Sequence, residues 1–425
     1  MPWLDGLRAV SVLAVIGDHE YISFEKTAWV HRLARGGFVG VDVFFVISGF
    51  LITSLLLRER EKTGRIDAPA FYLRRARRLF PALAVLLIAV LGGAVLFESN
   101  HEHQVLGAVV VTALYAANWV QAFGGVHLGA LGHTWSLACE EQFYLLWPAL
   151  LTVLAIVGVR GRWLVAVLTA GSVAAVVYVV VAVQSHWGFY RVYFALDTHC
   201  AGLLIGATLG AAWTLDLLPS GRIWTAVRRL SGVVGAVALL ATIEAGVTLP
   251  RHLASTFAHL RIVTSYQCTG ADYLIASFAA AAIIWALAAE APTNPAARAL
   301  GWAPLRGLGR ISYGLYLYSA PITIWLTPST TGIHSVPALM SLQVGLSIVL
   351  AWLSFETIER LFRVRRPASP PPDTLLAGDG ARRQPPPKKA DSSYQYASAA
   401  SVGLRPGSTG SGGAGRSGSS PVVEC

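Results

Sequence analysis

Long apolar segments, separated by short polar and basic stretches, run along most of this chain. Most of them hold about 18–22 residues, the length that crosses roughly 30 Å of hydrocarbon as a helix. Backbone groups in lipid must be hydrogen-bonded internally, so such segments are expected to be helices. Eleven segments follow the pattern, at about 7–23, 37–57, 79–97, 105–122, 136–157, 163–183, 193–213, 231–249, 272–290, 308–327 and 336–356. The pattern predicts an all-α, polytopic transmembrane helix bundle.

Basic clusters between the segments give the predicted orientation, because Lys and Arg are enriched in the cytoplasmic loops of membrane proteins. If all eleven segments spanned, these clusters would not lie on one side, and leaving out segment 105–122 removes the conflict. We therefore expect about ten spans with both termini cytoplasmic, and a re-entrant or interfacial position for segment 105–122. Residues 367–425 are rich in Pro, Gly and Ser, which predicts a disordered cytoplasmic tail after a transmembrane domain of residues 1–366.

Composition agrees with a membrane protein and narrows its partners. Of the 425 residues, 54% are hydrophobic and only 13% are charged, against about 25% charged in soluble proteins. The net charge of +10 lies in short clusters between apolar segments. This placement is typical of cytoplasmic loops, so the lipid bilayer is the expected partner and nucleic acid is not. The 4 cysteines are scattered without CxxC spacing, so neither a disulfide framework nor a metal site is predicted.

Ionisable residues inside apolar segments are candidates for function, because burying them in lipid is unfavourable. Arg8 and His19 in the first segment are eleven residues apart, which is about three helical turns, so they share a face roughly 16 Å apart. A histidine can take a proton from a hydroxyl near neutral pH, although a packed, hydrogen-bonded histidine is the alternative. Asp42 follows several glycines at the start of the second segment. The glycines alone indicate close helix packing, whereas a lone carboxylate in lipid needs a partner.

Two further motifs carry charge into apolar segments. The third segment is preceded by Arg74, Arg75 and Arg78, and Arg74 and Arg78 are expected to share a helix face. Their guanidinium groups could bind phosphate. Arginines at this position also serve as plain cytoplasmic anchors, which is the alternative. The motif HTWSLACEEQFYLLWP, residues 133–148, is the strongest local signal. It places Ser136 and Glu140 four residues apart on one face, with a second carboxylate, that of Glu141, beside them.

Six motifs together resemble one family. They are LDGLRAVSVLAVIGDH (4–19), GVDVFFVISGFLI (40–52), FYLRRARRLFPAL (71–83), HTWSLACEEQFYLLWP (133–148), YFALDTHCAGLLIGA (193–207) and LGRISYGLYLYSAP (308–321). In this order they are similar to segments of the prokaryotic membrane acyltransferase-three family, also called the sugar O-acetylase family. The likeness covers residues 4–366.

The resemblance implies an integral membrane O-acyltransferase in a bacterial plasma membrane. It would move an acyl group, commonly acetyl, from cytoplasmic acyl-CoA to a hydroxyl of an exported or cell-surface carbohydrate or glycoside. Acyl-CoA would be a co-substrate, with no resident cofactor. Many family members also append an extracytoplasmic hydrolase-like domain, so any such partner is expected here as a separate protein.

Roles for individual residues also come from the resemblance. His19 is expected to be the general base or a brief acyl carrier, oriented by Glu140 or Asp42. The expected catalytic residues are His19, Glu140, Asp42 and Glu141. The expected donor-binding residues are Arg8, Arg74, Arg75 and Arg78. The expected acceptor-binding or structural residues are Trp135, Ser136, His133 and Asp197.

Departures from the family pattern leave other interpretations open. His199 stands where the family usually has Arg, and Ser319 stands where it usually has His. The second departure leaves room for a changed acceptor, or for a weakened family member that acts as a scaffold. A transporter or flippase of a lipid-linked or small glycoside, without acyl transfer, is the remaining alternative, although the paired repeats common in transporters are not evident.

Overall fold

A computed structural model of the protein describes residues 1–24, 30, 36–97, 102–124, 128–248, 271–290 and 293–362. Within these residues the regular secondary structure is entirely helical. The helices are α1 (Pro2–Ser23), α2 (Val39–Thr63), α3 (Ala68–Phe97), α4 (Glu102–Ala113), α5 (Ala117–Ala122), α6 (Trp135–Ile156), α7 (Arg162–Gln184), α8 (Phe189–Phe194), α9 (Leu196–His199), α10 (Ala201–Thr214), α11 (Arg222–Thr248), α12 (Ala271–Glu290), α13 (Pro295–Leu300), α14 (Ala303–Arg310), α15 (Ser312–Trp325), α16 (Pro328–Thr331), α17 (Val336–Ser354) and α18 (Arg360–Phe362). A 3₁₀ turn, Gly129–Thr134, leads into α6, and a π-helical turn, Phe355–Glu359, follows α17. The predicted tail, residues 367–425, lies outside the described residues.

In the described part of the chain, 7 helical stretches are long and apolar enough to cross a membrane. They are Val39–Thr63, Ala68–Ala94, Gly129–Ile156, Arg162–Gln184, Arg222–Ile243, Asp272–Ala289 and Val336–Phe362. The predicted all-α, multi-pass membrane bundle is confirmed. The number of about ten spans stays a prediction, because helices such as α1 and α15 are shorter or carry more polar residues than these seven.

The segment 105–122 is not one continuous helix. It forms α4 and α5, which are joined by a turn in which Tyr115 has a φ of 53°. Gln142 on α6 holds this turn, since its side-chain amide donates hydrogen bonds to the Tyr115 carbonyl (2.7 Å) and to Asn118 Oδ1 (2.9 Å). The break is consistent with the predicted re-entrant or interfacial segment, because neither piece alone is long enough to span.

The predicted span 193–213 is also interrupted. The chain is extended at Ala195, and α10 begins afresh at Ala201 with 14 residues, which amount to about 21 Å of helix. The Asp197 side chain stabilises the break, because it accepts a hydrogen bond from its neighbour's backbone (Thr198 N, 2.9 Å) and another from Arg191 (2.7 Å). An ion pair therefore replaces helix hydrogen bonds at this point.

Helix α2 lies at the centre of the bundle. Of its most apolar stretch, 83% is buried inside the protein, whereas 11% is buried for Arg222–Ile243. Small residues bring α2 and α10 together: a Cβ atom at Gly49 would lie 1.9 Å from the Leu203 carbonyl oxygen, and one at Gly206 would lie 2.1 Å from that of Val46. The packing interpretation of the α2 glycines therefore holds for Gly49.

Candidate active site

A partly open cavity of about 140 Å³ lies between helices α1, α2, α3, α6 and α15. The α2 residues that line it run from Val41 to Leu55, which are fourteen residue steps or about 21 Å of helix apart, so the cavity is elongated along α2. Three basic residues line it, namely Arg8, Arg75 and Arg78. We call this space the arginine cavity.

The three arginines of the cavity have different surroundings. Arg75 donates hydrogen bonds to Glu141 Oε1 from Nε (2.9 Å) and forms an ion pair with it through Nη2 (2.7 Å). Its guanidinium also stacks 3.3 Å from the ring centre of Tyr144. Arg8 and Arg78 make no hydrogen bond or ion pair within the described residues. Two guanidinium groups of the cavity are therefore left for a ligand.

Arg74 does not belong to this set. Its side chain is 57% exposed and lies 3.7 Å from Glu59 at the end of α2. Arg74 and Arg78 lie four residues apart on one continuous helix, as expected, but Arg75 and Arg78 are the residues of this motif that line the cavity. The rotation of α3 about its own axis decides which arginine faces inwards, and hydrophobic packing of the rest of α3 sets that rotation.

Glu140 lines the arginine cavity and does not bond to His19. Ser48 Oγ and Tyr144 Oη both donate hydrogen bonds to its Oε2 atom, at 3.0 and 2.8 Å. The same atom lies 3.9 Å from Nη2 of Arg75. The expectations that Glu140 orients His19 and lies at the His19 end of the bundle are thus corrected. Its position on α6 places it one turn beyond Ser136, towards the arginines.

Tyr316 on α15 connects the arginine cavity with the region around His19. It lines the cavity, and its hydroxyl donates a hydrogen bond to the His133 carbonyl (2.6 Å) and is bonded to the Ser136 hydroxyl. Its ring centre lies 6.5 Å from that of His19. Ser136, expected at an acceptor or structural site, therefore lies at the cavity wall nearest to His19.

His19 lies in a compact polar group with His133 and Ser319, which we call the histidine cluster. The Nδ1 atom of His19 is 3.3 Å from Ser319 Oγ, and the two histidine rings are 6.0 Å apart. His133 Nε2 lies 3.1 Å from the Leu317 carbonyl oxygen. The unusual serine of this chain thus directly contacts the histidine that the sequence singled out.

Asp42 has a different partner from the one predicted. It lies 2.8 Å from Nε2 of His199, and the side chains are only 2% and 1% exposed, respectively. The other ring nitrogen of His199 is 2.6 Å from the Tyr193 carbonyl oxygen. His199 therefore bridges the Asp42 carboxyl group and the Tyr193 carbonyl, and the expectation that Asp42 orients His19 is corrected.

Trp135 and Asp197 lie away from the cavity lining. Trp135 packs against His199 and Tyr193, with ring centres 5.1 and 4.9 Å apart. Asp197 pairs with Arg191 and accepts a hydrogen bond from Tyr178 (3.0 Å). Their role at an acceptor-binding or structural site stays a prediction.

Among the polar cavity residues that the sequence did not single out as site residues are Ser48, Tyr144 and Tyr316. Each lies inside a motif that carries the family resemblance, in VISGF, EEQFYLL and SYGLYLY. Hydroxyl groups are tolerated in apolar helices without a functional reason, so their type alone gives no signal. Spacing gives a weak one, because Tyr144 lies four residues after Glu140 on the same face.

Comparison with known proteins bears on what this site does. The family model described as an acyltransferase domain matches residues 1–356. The chain is 33% identical over 380 residues to the "Putative peptidoglycan O-acetyltransferase" of Bacillus subtilis, which covers 86% of this chain and 55% of that protein. It is 31% identical over 374 residues to the peptidoglycan O-acetyltransferase of Listeria monocytogenes, which covers 85% of this chain and 56% of that protein. The chain thus spans little more than half the length of these relatives. No solved structure matches it.

Proposed function

The chain belongs to the acyltransferase domain family, and from this premise we propose that it is a membrane-embedded O-acyltransferase. The proposed reaction moves an acetyl group from acyl-CoA on the cytoplasmic side to a hydroxyl of a cell-envelope carbohydrate on the other side. Both relatives are named as peptidoglycan O-acetyltransferases. Peptidoglycan is therefore the acceptor that we propose.

The observation that carries the donor assignment is the pair of guanidinium groups, on Arg8 and Arg78, that line the cavity without an ion pair among the described residues. Arg8 is partly buried and Arg78 is exposed, so an anionic ligand can reach both groups. The phosphates of CoA fit them, because guanidinium groups bind phosphate with two parallel hydrogen bonds.

The shape of the cavity supports a long donor. Arg74 beside Glu59 places the start of α3 next to the end of α2, so Arg78 lies towards the Leu55 end. Tyr316 and Ser136 lie towards the Val41 end, where Trp135 contacts Phe45. Phosphates near Arg78 and a thioester near Tyr316 would use the full length of about 21 Å.

The proposed chemistry needs one proton acceptor near the thioester. The acceptor hydroxyl oxygen attacks the thioester carbonyl carbon while His19 takes the hydroxyl proton. The carbon–sulfur bond then breaks, an ester forms on the carbohydrate, and the CoA sulfur leaves with the proton that His19 returns. The Ser136 hydroxyl lines the cavity next to this position and is the candidate for stabilising the carbonyl oxygen in the transition state, once its hydrogen turns from Tyr316 to the substrate.

The test uses the full chain in nanodiscs with radiolabelled acetyl-CoA and peptidoglycan fragments. We expect label to appear on the carbohydrate with wild-type protein and not with His19→Ala, while both bind acetyl-CoA. Failure of the wild-type protein to bind acetyl-CoA would overturn the donor assignment. Movement of a glycoside across vesicle membranes without label transfer would favour the transporter alternative instead.

A further inference from the structure

Ser319 is the only side chain that bonds to the His19 ring within the described residues. It lies on α15, is 1% exposed, and its Oγ atom is 3.3 Å from Nδ1 of His19. A residue so deeply buried does not meet the acceptor directly. Any effect on the reaction must therefore pass through His19.

The direction of this hydrogen bond depends on where the Ser319 hydroxyl hydrogen points. The Tyr316 carbonyl oxygen, which can only accept, lies 3.5 Å from the Oγ atom and competes with His19 Nδ1 for that hydrogen. With the hydrogen on the Tyr316 side, Oγ accepts a hydrogen bond from Nδ1–H of His19, and Nε2 carries the lone pair.

We propose that Ser319 is a positioning residue that fixes His19 with Nδ1 protonated and Nε2 free as the base. This proposal rests on the proposed function, in which His19 takes the proton of the carbohydrate hydroxyl. The family histidine expected at this position would offer a ring nitrogen there. In this chain a hydroxyl accepts the hydrogen bond in its place. The departure at position 319 thus leaves the base oriented and usable.

A neighbouring pair on the same two helices provides a matched control. The Oγ1 atom of Thr323, one turn beyond Ser319, lies 3.3 Å from Glu20 Oε1 and 3.0 Å from the Ser319 carbonyl oxygen, and its one hydrogen is shared between these acceptors. It is buried like Ser319 and ties α15 to the residue after His19, without touching the His19 ring. Loss of its hydroxyl changes the contact between α1 and α15 but leaves the His19 hydrogen bond in place.

The test compares Ser319→Thr with Ser319→Val, which have the same shape and differ in the hydroxyl. The full chain in nanodiscs is given acetyl-CoA and peptidoglycan fragments, and kcat and the Kd for acetyl-CoA are measured. We expect Ser319→Val to lower kcat by roughly 10- to 100-fold, the scale of a misplaced catalytic group, with the Kd unchanged. Ser319→Thr and the control Thr323→Val should keep kcat near the wild-type value. Ser319→Ala, which adds no bulk, should match Ser319→Val.

A spectroscopic readout separates positioning from a structural role. Nitrogen-15 NMR of labelled histidine distinguishes the two tautomers. The His19 signal is assigned by its absence in His19→Ala. In the wild-type protein this signal should show the Nδ1–H form. Ser319→Val should show a mixture.

The outcomes separate this inference from the proposed function. Equal kcat values for Ser319→Thr and Ser319→Val, with His19→Ala inactive, would overturn the role of Ser319 alone. Equal losses in Ser319→Val and Thr323→Val would also overturn it, because they indicate damaged packing. A wild-type rate in His19→Ala would overturn both.

Discussion

The arginine cavity and the histidine cluster are both polar regions inside an apolar helix bundle, yet they satisfy their polar groups differently. In the cavity, Arg8 and Arg78 line open space and have no ion pair among the described residues. In the cluster, His19 bonds to Ser319 and His133 bonds to a backbone carbonyl. Unpaired charge in one region indicates a charged ligand, whereas a hydrogen bond to one ring nitrogen of each histidine in the other indicates fixed orientation.

This difference divides the proposed reaction into two tasks. Arg78 is exposed and Arg8 is partly buried, so the cavity is expected to admit an anionic donor and to pair with its phosphates. A proton acceptor instead needs a defined geometry, because misplacement of a reacting group lowers the rate steeply. Tyr316 belongs to both regions, since its ring lines the cavity and lies beside His19.

Replacing His19 should give the largest separation of the two regions. His19→Ala is expected to lower kcat by about 10²- to 10⁴-fold, the contribution of a general base, while the Kd for acetyl-CoA stays at its wild-type value. Label transfer and equilibrium binding measure the two effects. The exposed His103 offers the control, His103→Ala, which should leave both unchanged. A parallel loss of binding and turnover in His19→Ala would contradict the division of tasks.

Replacing His199 should affect the fold that carries both regions. His199→Ala leaves Asp42 buried without its partner, which should lower the free energy of unfolding by about 3–5 kcal/mol. Denaturant unfolding in detergent measures it. Arg191→Ala breaks a more exposed pair, so about 1 kcal/mol or less is expected there. If His199→Ala were as stable as Arg191→Ala, the buried pair would not have the structural role assigned to it.

Replacing Arg78 should act on the cavity alone, and Arg74 on the same helix is its control. Arg78→Ala should weaken acetyl-CoA binding by roughly 10- to 150-fold, the equivalent of about 1.5–3 kcal/mol for hydrogen bonds to a charged group. Saturating donor should restore kcat. Arg74→Ala should bind acetyl-CoA like the wild type, because Arg74 points to Glu59. Calorimetry checks both, and equal weakening in the two variants would refute the assigned orientation of α3.

The smallest expected effect is at Tyr144. Tyr144→Phe keeps the ring that stacks on Arg75 but removes the hydrogen bond to Glu140. The released carboxylate can approach the cavity arginines and compete with the donor phosphates, so acetyl-CoA affinity should fall about fivefold, or about 1 kcal/mol. Glu140→Gln in the same background removes the competing charge and should restore the affinity. An unchanged Kd in Tyr144→Phe would show that Glu140 does not act on the donor.

The sequence alone predicts the ionisable residues of both regions, because such groups are rare in apolar helices, but not the cavity hydroxyls such as Ser48. Arg8, His19, Arg75 and Glu140 all stand out in this way. The sequence does not predict which of these residues contact one another in the folded protein. Glu140 bonds to Ser48 because of the register between α6 and α2, and packing over the whole length of both helices sets that register.

The same limit applies to the helices themselves. Apolar length predicts α2, α3, α6 and α7, but it gives no signal for the breaks at Tyr115 and Ala195. Neither break contains Gly or Pro at its centre. Gln142, which is distant in sequence, stabilises the break at Tyr115, and Arg191 stabilises the break at Ala195 through Asp197. A local sequence pattern does not contain these hydrogen bonds.

The most direct test of the central claim is a cryo-electron microscopy structure of the full chain in a nanodisc with a non-hydrolysable acetyl-CoA analogue. We expect density for the phosphates beside Arg8 and Arg78, with the pantetheine arm following α2 and the acetyl group next to Tyr316. Such a structure would place the donor within reach of His19. Density for the analogue outside the cavity, with Arg8 and Arg78 unoccupied, would contradict the account.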